Sequence, residues 1–89
     1  MSEAKTTRDH GVIRRWAEER GGRPATVSGT GDRGGAGVLR LDFEPPDETL
    51  APISWDDFFR KFDAEDLAFL YQEGTSGGEV SRFHKFIHR

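Results

Sequence analysis

Ser54-Trp55-Asp56-Asp57-Phe58-Phe59-Arg60-Lys61-Phe62-Asp63 is the stretch that decides how this chain folds. A serine followed three residues later by an acid resembles a capping box: the hydroxyl accepts from a free backbone N–H, and Asp56 and Asp57 lie at the positive end of the helix dipole. Arg60 and Lys61 lie toward the negative end. At the helical period Trp55, Phe58, Phe59 and Phe62 share an arc of about 100 degrees, and charged residues fill the rest. The spacing predicts an amphipathic helix whose aromatic face anchors the core.

Downstream, Leu67 to Gln72 reads LAFLYQ, a nearly continuous apolar run with the length of a buried strand. Upstream, Glu44-Pro45-Pro46-Asp47 is a connector, because proline has no N–H to donate to a ladder. Before it, Leu39, Leu41 and Phe43 alternate with Val38, Arg40 and Asp42, the period of two expected of a strand with one buried face. Pro24 to Ser28 is its hairpin partner across the glycine-rich loop 29–37. Thr6-Thr7-Arg8-Asp9 has the spacing of a helix start with a capping hydroxyl. Val12, Ile13, Trp16 and Ala17 then share a face until Gly21-Gly22 ends the helix. After the loop at 73–79, Val80, Phe83, Phe86 and Ile87 fit a short terminal helix better than alternation, with a strand as the alternative.

The expected architecture is therefore one small α+β domain over residues 7–89, in the order α-β-β-α-β-α. A three-stranded sheet carries helices on one face, behind a disordered lead of residues 1–6. Leu, Ile, Val and Phe supply 19 of the 89 residues, a small apolar stock. Seven are Phe, and with two Trp and one Tyr they enlarge the area that a core can bury. With no cysteine in the chain, disulfides and thiolate metal sites are excluded. The polar start and the lack of any long apolar run point to the cytoplasm rather than to a membrane.

Charge is segregated. Residues 1–40 carry eight basic and five acidic side chains, residues 41–79 two and eleven, and residues 80–89 three and none. Such ends either pair with the acidic middle or form an interaction surface. Arg14, Arg15, Arg20 and Arg23, followed by Arg82 and Lys85, are the candidate nucleic-acid contacts, since guanidinium groups bind phosphates and aromatic rings stack on bases. Against that, Trp16 lies on the apolar face and Glu18 and Glu19 dilute the arginines.

No pattern specifies a catalytic, cofactor or metal site. Gly29-Thr30-Gly31-Asp32-Arg33-Gly34 has the spacing of a dinucleotide-binding loop, but a strand follows where that motif needs a helix. His84 and His88 would share a helical face, yet two imidazoles without a third ligand do not hold a metal ion. Ser28, Ser54 and Ser81, with His10, His84 and His88 as bases, form no nucleophile elbow.

Three stretches, IRRWAEERGGRPATV at 13–27, ISWDDFFRKFD at 53–63 and LAFLYQ at 67–72, resemble a family of small uncharacterised bacterial proteins, some of them labelled 1,4-α-glucan branching enzyme. The label implies an association with glucan or its enzymes. Branching chemistry belongs to a barrel of about 250 residues, so no catalytic residue is carried over. The reading that follows is a non-catalytic accessory or protein-interaction module without a cofactor. Nucleic acid is the alternative partner, and a carbohydrate-associated factor or small enzyme is a further one.

Overall fold

A computed structural model describes residues 4–29, 37–74 and 80–88. Eight elements follow one another: β1 (Ala4–Thr7), α1 (His10–Glu19), β2 (Arg23–Val27), β3 (Leu39–Asp42), β4 (Leu50–Pro52), α2 (Trp55–Ala64), β5 (Leu67–Gln72) and β6 (His84–His88). The strands form two separate antiparallel sheets, ordered β1-β5-β6 and β3-β2-β4.

Both helices end as their sequences require. Ser54 caps α2, its Oγ accepting from the Asp57 N–H at 3.0 Å. For α1 the cap is Asp9 and not the expected threonine: Val12 N–H donates to Asp9 Oδ1 at 3.1 Å, because Thr6 and Thr7 are extended in β1. At the other end Gly22 N–H donates to Ala17 O at 2.8 Å and Gly21 N–H to Glu18 O at 3.2 Å, with Gly21 at φ +73°. That is a Schellman closure, which favours glycine at the left-handed position. Gly22 is required for a different reason, since a Cβ there would lie 2.8 Å from the Phe43 ring.

The α+β class stands, and so do the pairing of β2 with β3, the helix after Ser54 and the strand LAFLYQ. Four expectations are corrected. The order is β-α-β-β-β-α-β-β, the sheet is two sheets, residues 4–6 of the expected lead belong with Thr7 to a strand, and the last element is the strand given as the alternative. β1 is polar and exposed, and it exists because its backbone pairs with β5, Thr7 opposite Phe69 and Lys5 opposite Tyr71. β4 is short and ends at Pro52, which an edge strand tolerates. In β6 the half-buried His84 and Phe86 lie opposite Tyr71 and Phe69, and the exposed His88 lies opposite Leu67. The expected loops at 29–37 and 73–79 fall largely outside the described residues.

Pro24 lies in the central strand of its sheet. Toward β3 it faces Leu41, and the Val27–Val38 bond at 3.0 Å makes that pair one of the non-hydrogen-bonded ones. Toward β4 its carbonyl accepts from the Ile53 N–H at 3.1 Å, so only one donor is lost, at the strand's start.

One cluster joins everything. Ile13, Trp16 and Ala17 of α1, Phe58, Phe59 and Phe62 of α2, Leu39 and Leu41 of β3, and Leu67, Phe69 and Tyr71 of β5 are buried together. Phe58 meets Phe86 edge-on at 5.8 Å, and Trp16 meets Phe69 edge-on at 5.3 Å. Phe62 is fully buried in this cluster. Phe62→Ala is expected to lower the unfolding free energy by about 3–5 kcal/mol, a large share of a small domain's stability, as read from urea denaturation.

Candidate functional site

The ion pairs show how the segregated charge is used. Lys5 pairs with Glu73, Arg8 with Asp66, His10 with Asp63 and Arg23 with Glu44. Each joins a residue of the basic first part to one of the acidic middle. Within the helices Arg14 pairs with Glu18, Arg60 with Asp57 and Lys61 with Glu65. Such exposed pairs stabilise little but neutralise effectively. Among the described residues Arg15, Arg40, Arg82 and Lys85 belong to no ion pair, and the last three lie on β3, on β6 or on the approach to it.

β3 and β6 are edge strands of different sheets, and a cleft opens between them. Its deeper part, about 190 Å³, is lined by Val38, Leu39 and Arg40 from β3 and its approach, by Leu67, Phe86 and His88, and by the Lys61–Glu65 pair at the end of α2. Past Arg40 it runs into a hollow of about 350 Å³ bounded by Arg40, His84, Lys85 and Phe86. The floor is apolar and the mouth is cationic. Arg40 Nη1 donates to the Leu39 carbonyl at 2.8 Å, which holds its guanidinium against the strand edge. Arg82 is seated over the Phe43 ring at 5.2 Å.

His84 borders this cleft from within an aromatic nest. Its ring lies 5.7 Å from Phe69, 5.4 Å from Trp16, 5.8 Å from Phe43 and 5.8 Å from Phe86. Its Nδ1–H donates to the Arg82 carbonyl at 2.8 Å. Burial depresses the imidazole pKa below its ordinary 6.5, the Arg82 carbonyl opposes this, and the nearby Arg40 charge adds to it.

The six candidate nucleic-acid contacts are divided by the fold. Arg14 and Arg23 are engaged with carboxylates. Arg20 is a structural clamp, its side chain only 4% exposed. It donates to the carbonyls of Trp16 at 2.9 Å, Glu73 at 2.7 Å and Ser81, and its guanidinium lies over the Trp16 ring at 4.3 Å. Burial lowers its pKa, against the charges of Glu19 and Glu73. Arg15 stands on the exposed side of α1, on a different element from Arg82, which is seated over Phe43, and from Lys85, which borders the cleft. Arg40 was missed. In the sequence it reads only as an outward position of β3, and the helical reading of 80–87 hid the strand that lies across from it.

The other motifs dissolve or fall elsewhere. On a strand His84 and His88 are about 13 Å apart along the backbone, so they do not converge on one ion. Ser54 is a cap, and Ser81 donates to Gln72 Oε1 at 2.7 Å. His10 Nε2–H donates to Asp63 Oδ1 at 2.9 Å and its ring stacks on Phe59 at 4.1 Å. The glycine motif lies mostly outside the described residues, and β3 follows it.

The depressed His84 pKa sets a sign for stability. Between 6.5 and the depressed value the unfolded chain binds a proton that the folded chain does not, so stability rises with pH. The His84 contribution is complete above pH 6.5 and is lost as the pH falls through that window. Glu73 and Asp47, whose pKa values are lowered from the ordinary carboxylate range by hydrogen bonds from Lys5 and Thr49, act only at lower pH. Urea midpoints from about pH 7.5 to about pH 5.5 are therefore expected to fall more steeply for the native chain than for His84→Phe. The difference between the two proteins isolates the His84 contribution, and equal slopes would contradict the assignment.

Comparison with known proteins returns no match, whether against family models, curated proteins or solved structures.

Proposed function

We propose that this chain is a non-catalytic protein-interaction module that receives an anionic segment of a partner in the cleft between β3 and β6. The observation that carries the reading is the pattern of ion pairs: Lys5, Arg8 and Arg23 are paired with the acidic middle, while Arg40 and Lys85, in no ion pair among the described residues, border one groove. The groove combines a hollow of about 190 Å³ with an adjoining one of about 350 Å³ that shares Arg40 and Phe86, an extended shape rather than a single closed pocket. That shape suits a chain lying across it. Its polar groups are cations and imidazoles with the one acid, Glu65, paired to Lys61, so it lacks the converging acid and base that a small hydrolase needs.

Nucleic acid is disfavoured by the loss of its anchors. Arg20 is locked into backbone carbonyls, and Arg14 and Arg23 carry carboxylate partners, which leaves no continuous track of unpaired cations from α1 to the C-terminal strand among the described residues. Phosphate tracks on binders of that class use several free cations in succession.

The test is a titration of isotope-labelled full-length chain with glutamate-rich peptides, lysine-rich peptides and a short oligothymidylate at low salt. Shifts at Leu39, Arg40, His84 and Lys85 with the glutamate peptides alone are expected, and Arg40→Glu with Lys85→Glu should weaken that binding by about tenfold or more. Binding that the double charge reversal leaves intact, or shifts produced by the oligonucleotide alone, would remove the proposal.

A further inference from the structure

We infer that the occupant of the cleft adds to the free edge of β6 as a fourth strand of its sheet, with acidic and apolar side chains in alternation. This rests on the interaction reading above and specifies its geometry. The hydrogen-bond register supplies the first argument. Gln72 N–H donates to the Phe83 carbonyl at 3.1 Å, which makes residues 72 and 83 a hydrogen-bonded pair. Pairs alternate along an antiparallel ladder, so Leu70–Lys85 and Ala68–Ile87 are bonded as well. The backbone groups of His84, Phe86 and His88 therefore point away from β5, and among the described residues no strand of either sheet pairs with them there.

The same count on the opposite wall puts the free-edge groups of β3 at Leu39 and Leu41, from the Val27–Val38 bond at 3.0 Å. The Leu39 carbonyl is already taken by Arg40 Nη1. β6, with the groups of three alternate residues on its free side, is the longer and less encumbered edge, and Arg40 borders the groove as a cation. A peptide strand on such an edge gains affinity from main-chain hydrogen bonds and specificity from alternate side chains.

The side-chain pattern follows from the pleat. Successive residues of an added strand point to opposite sides. One set meets the apolar floor of Leu39, Leu67 and Phe86, and the other meets the mouth, where Arg40 and Lys85 stand. The complementary segment alternates aliphatic and acidic residues over about the length of β6, which has five residues.

The probe is a seven-residue peptide alternating glutamate and valine, in three forms: unmodified, backbone N-methylated on the glutamates, and N-methylated on the valines. An edge strand bonds only every second residue, so one methylation register should weaken binding at least tenfold while the other is tolerated. The amides of His84, Phe86 and His88 should also gain protection from hydrogen exchange when the unmodified peptide is bound. If both registers bind the cleft as well as the unmodified peptide, strand addition is wrong while the interaction module stands. A lysine–valine peptide that binds equally well would eliminate the acidic requirement. If neither peptide moves any cleft resonance, strand addition fails; if the oligothymidylate moves them instead, the interaction reading fails with it.

Discussion

No backbone hydrogen bond joins the two three-stranded sheets among the described residues, so side chains alone hold one to the other. The rings of α2 do most of this. Phe58 and Phe62 are fully buried, stacked on one another at 6.4 Å, and Phe58 reaches the edge of Phe86 on β6. Trp16 closes the cluster from α1, its indole N–H donating to the Gln72 carbonyl at 3.0 Å and its ring meeting Phe69, Tyr71 and Phe43. Offset and edge-on ring contacts of this kind add to the area that the rings bury. A chain with so few aliphatic residues depends on them.

That mode of assembly has a geometric consequence. Joined through rings rather than through a ladder, the sheets keep four edges instead of two. β1 is four residues long and carries Lys5, and β4 is three residues long and ends in proline, so the outer edges are blunted. β3 and β6 border the cleft instead, over a floor supplied by the same cluster that joins the sheets. The groove and the core are one construction: Phe86 packs against Phe58 and Phe69 and also lines the cleft. Arg20 fixes the other end, tying α1 to the carbonyls at Glu73 and Ser81 and so setting the position from which β6 starts.

What could be read in the sequence was whatever local chemistry decides. Ser54 with its two following acids, the Trp55, Phe58, Phe59 and Phe62 arc, the double glycine after α1 and the run LAFLYQ each carry their own signal, and each appears as expected. β1 has none, since Ala4–Thr7 is polar and exposed and becomes a strand only through pairing with β5. β6 was misread for a more instructive reason. Counting His84 as polar leaves Val80, Phe83, Phe86 and Ile87 as the apolar set, which fits a helix. In the fold the His84 imidazole is packed among four aromatic rings, and once it counts as apolar His84 and Phe86 alternate as a strand should. Because the cleft needs β6 as a strand, this misreading also concealed the site and the relation of Arg40 to Lys85.

The charge pattern has the same character of a local signal whose meaning depends on the fold. Taken whole, the chain carries a formal net charge of −3, which repels polyanions at long range. At physiological ionic strength that repulsion is screened beyond about 8 Å, and Arg40 and Lys85 act only on a ligand already at the groove. A nucleic acid depends on long-range attraction and on many phosphate contacts, and of the candidate contacts Arg14, Arg20 and Arg23 are engaged elsewhere. A short extended segment needs less. In the proposed mode its main chain would bond along β6, its apolar residues would meet the Phe86 floor, and its carboxylates would face Arg40 and Lys85 at the mouth. The distribution of charge on this fold therefore favours a ligand recognised mainly through its backbone, with electrostatics choosing among sequences rather than supplying the affinity.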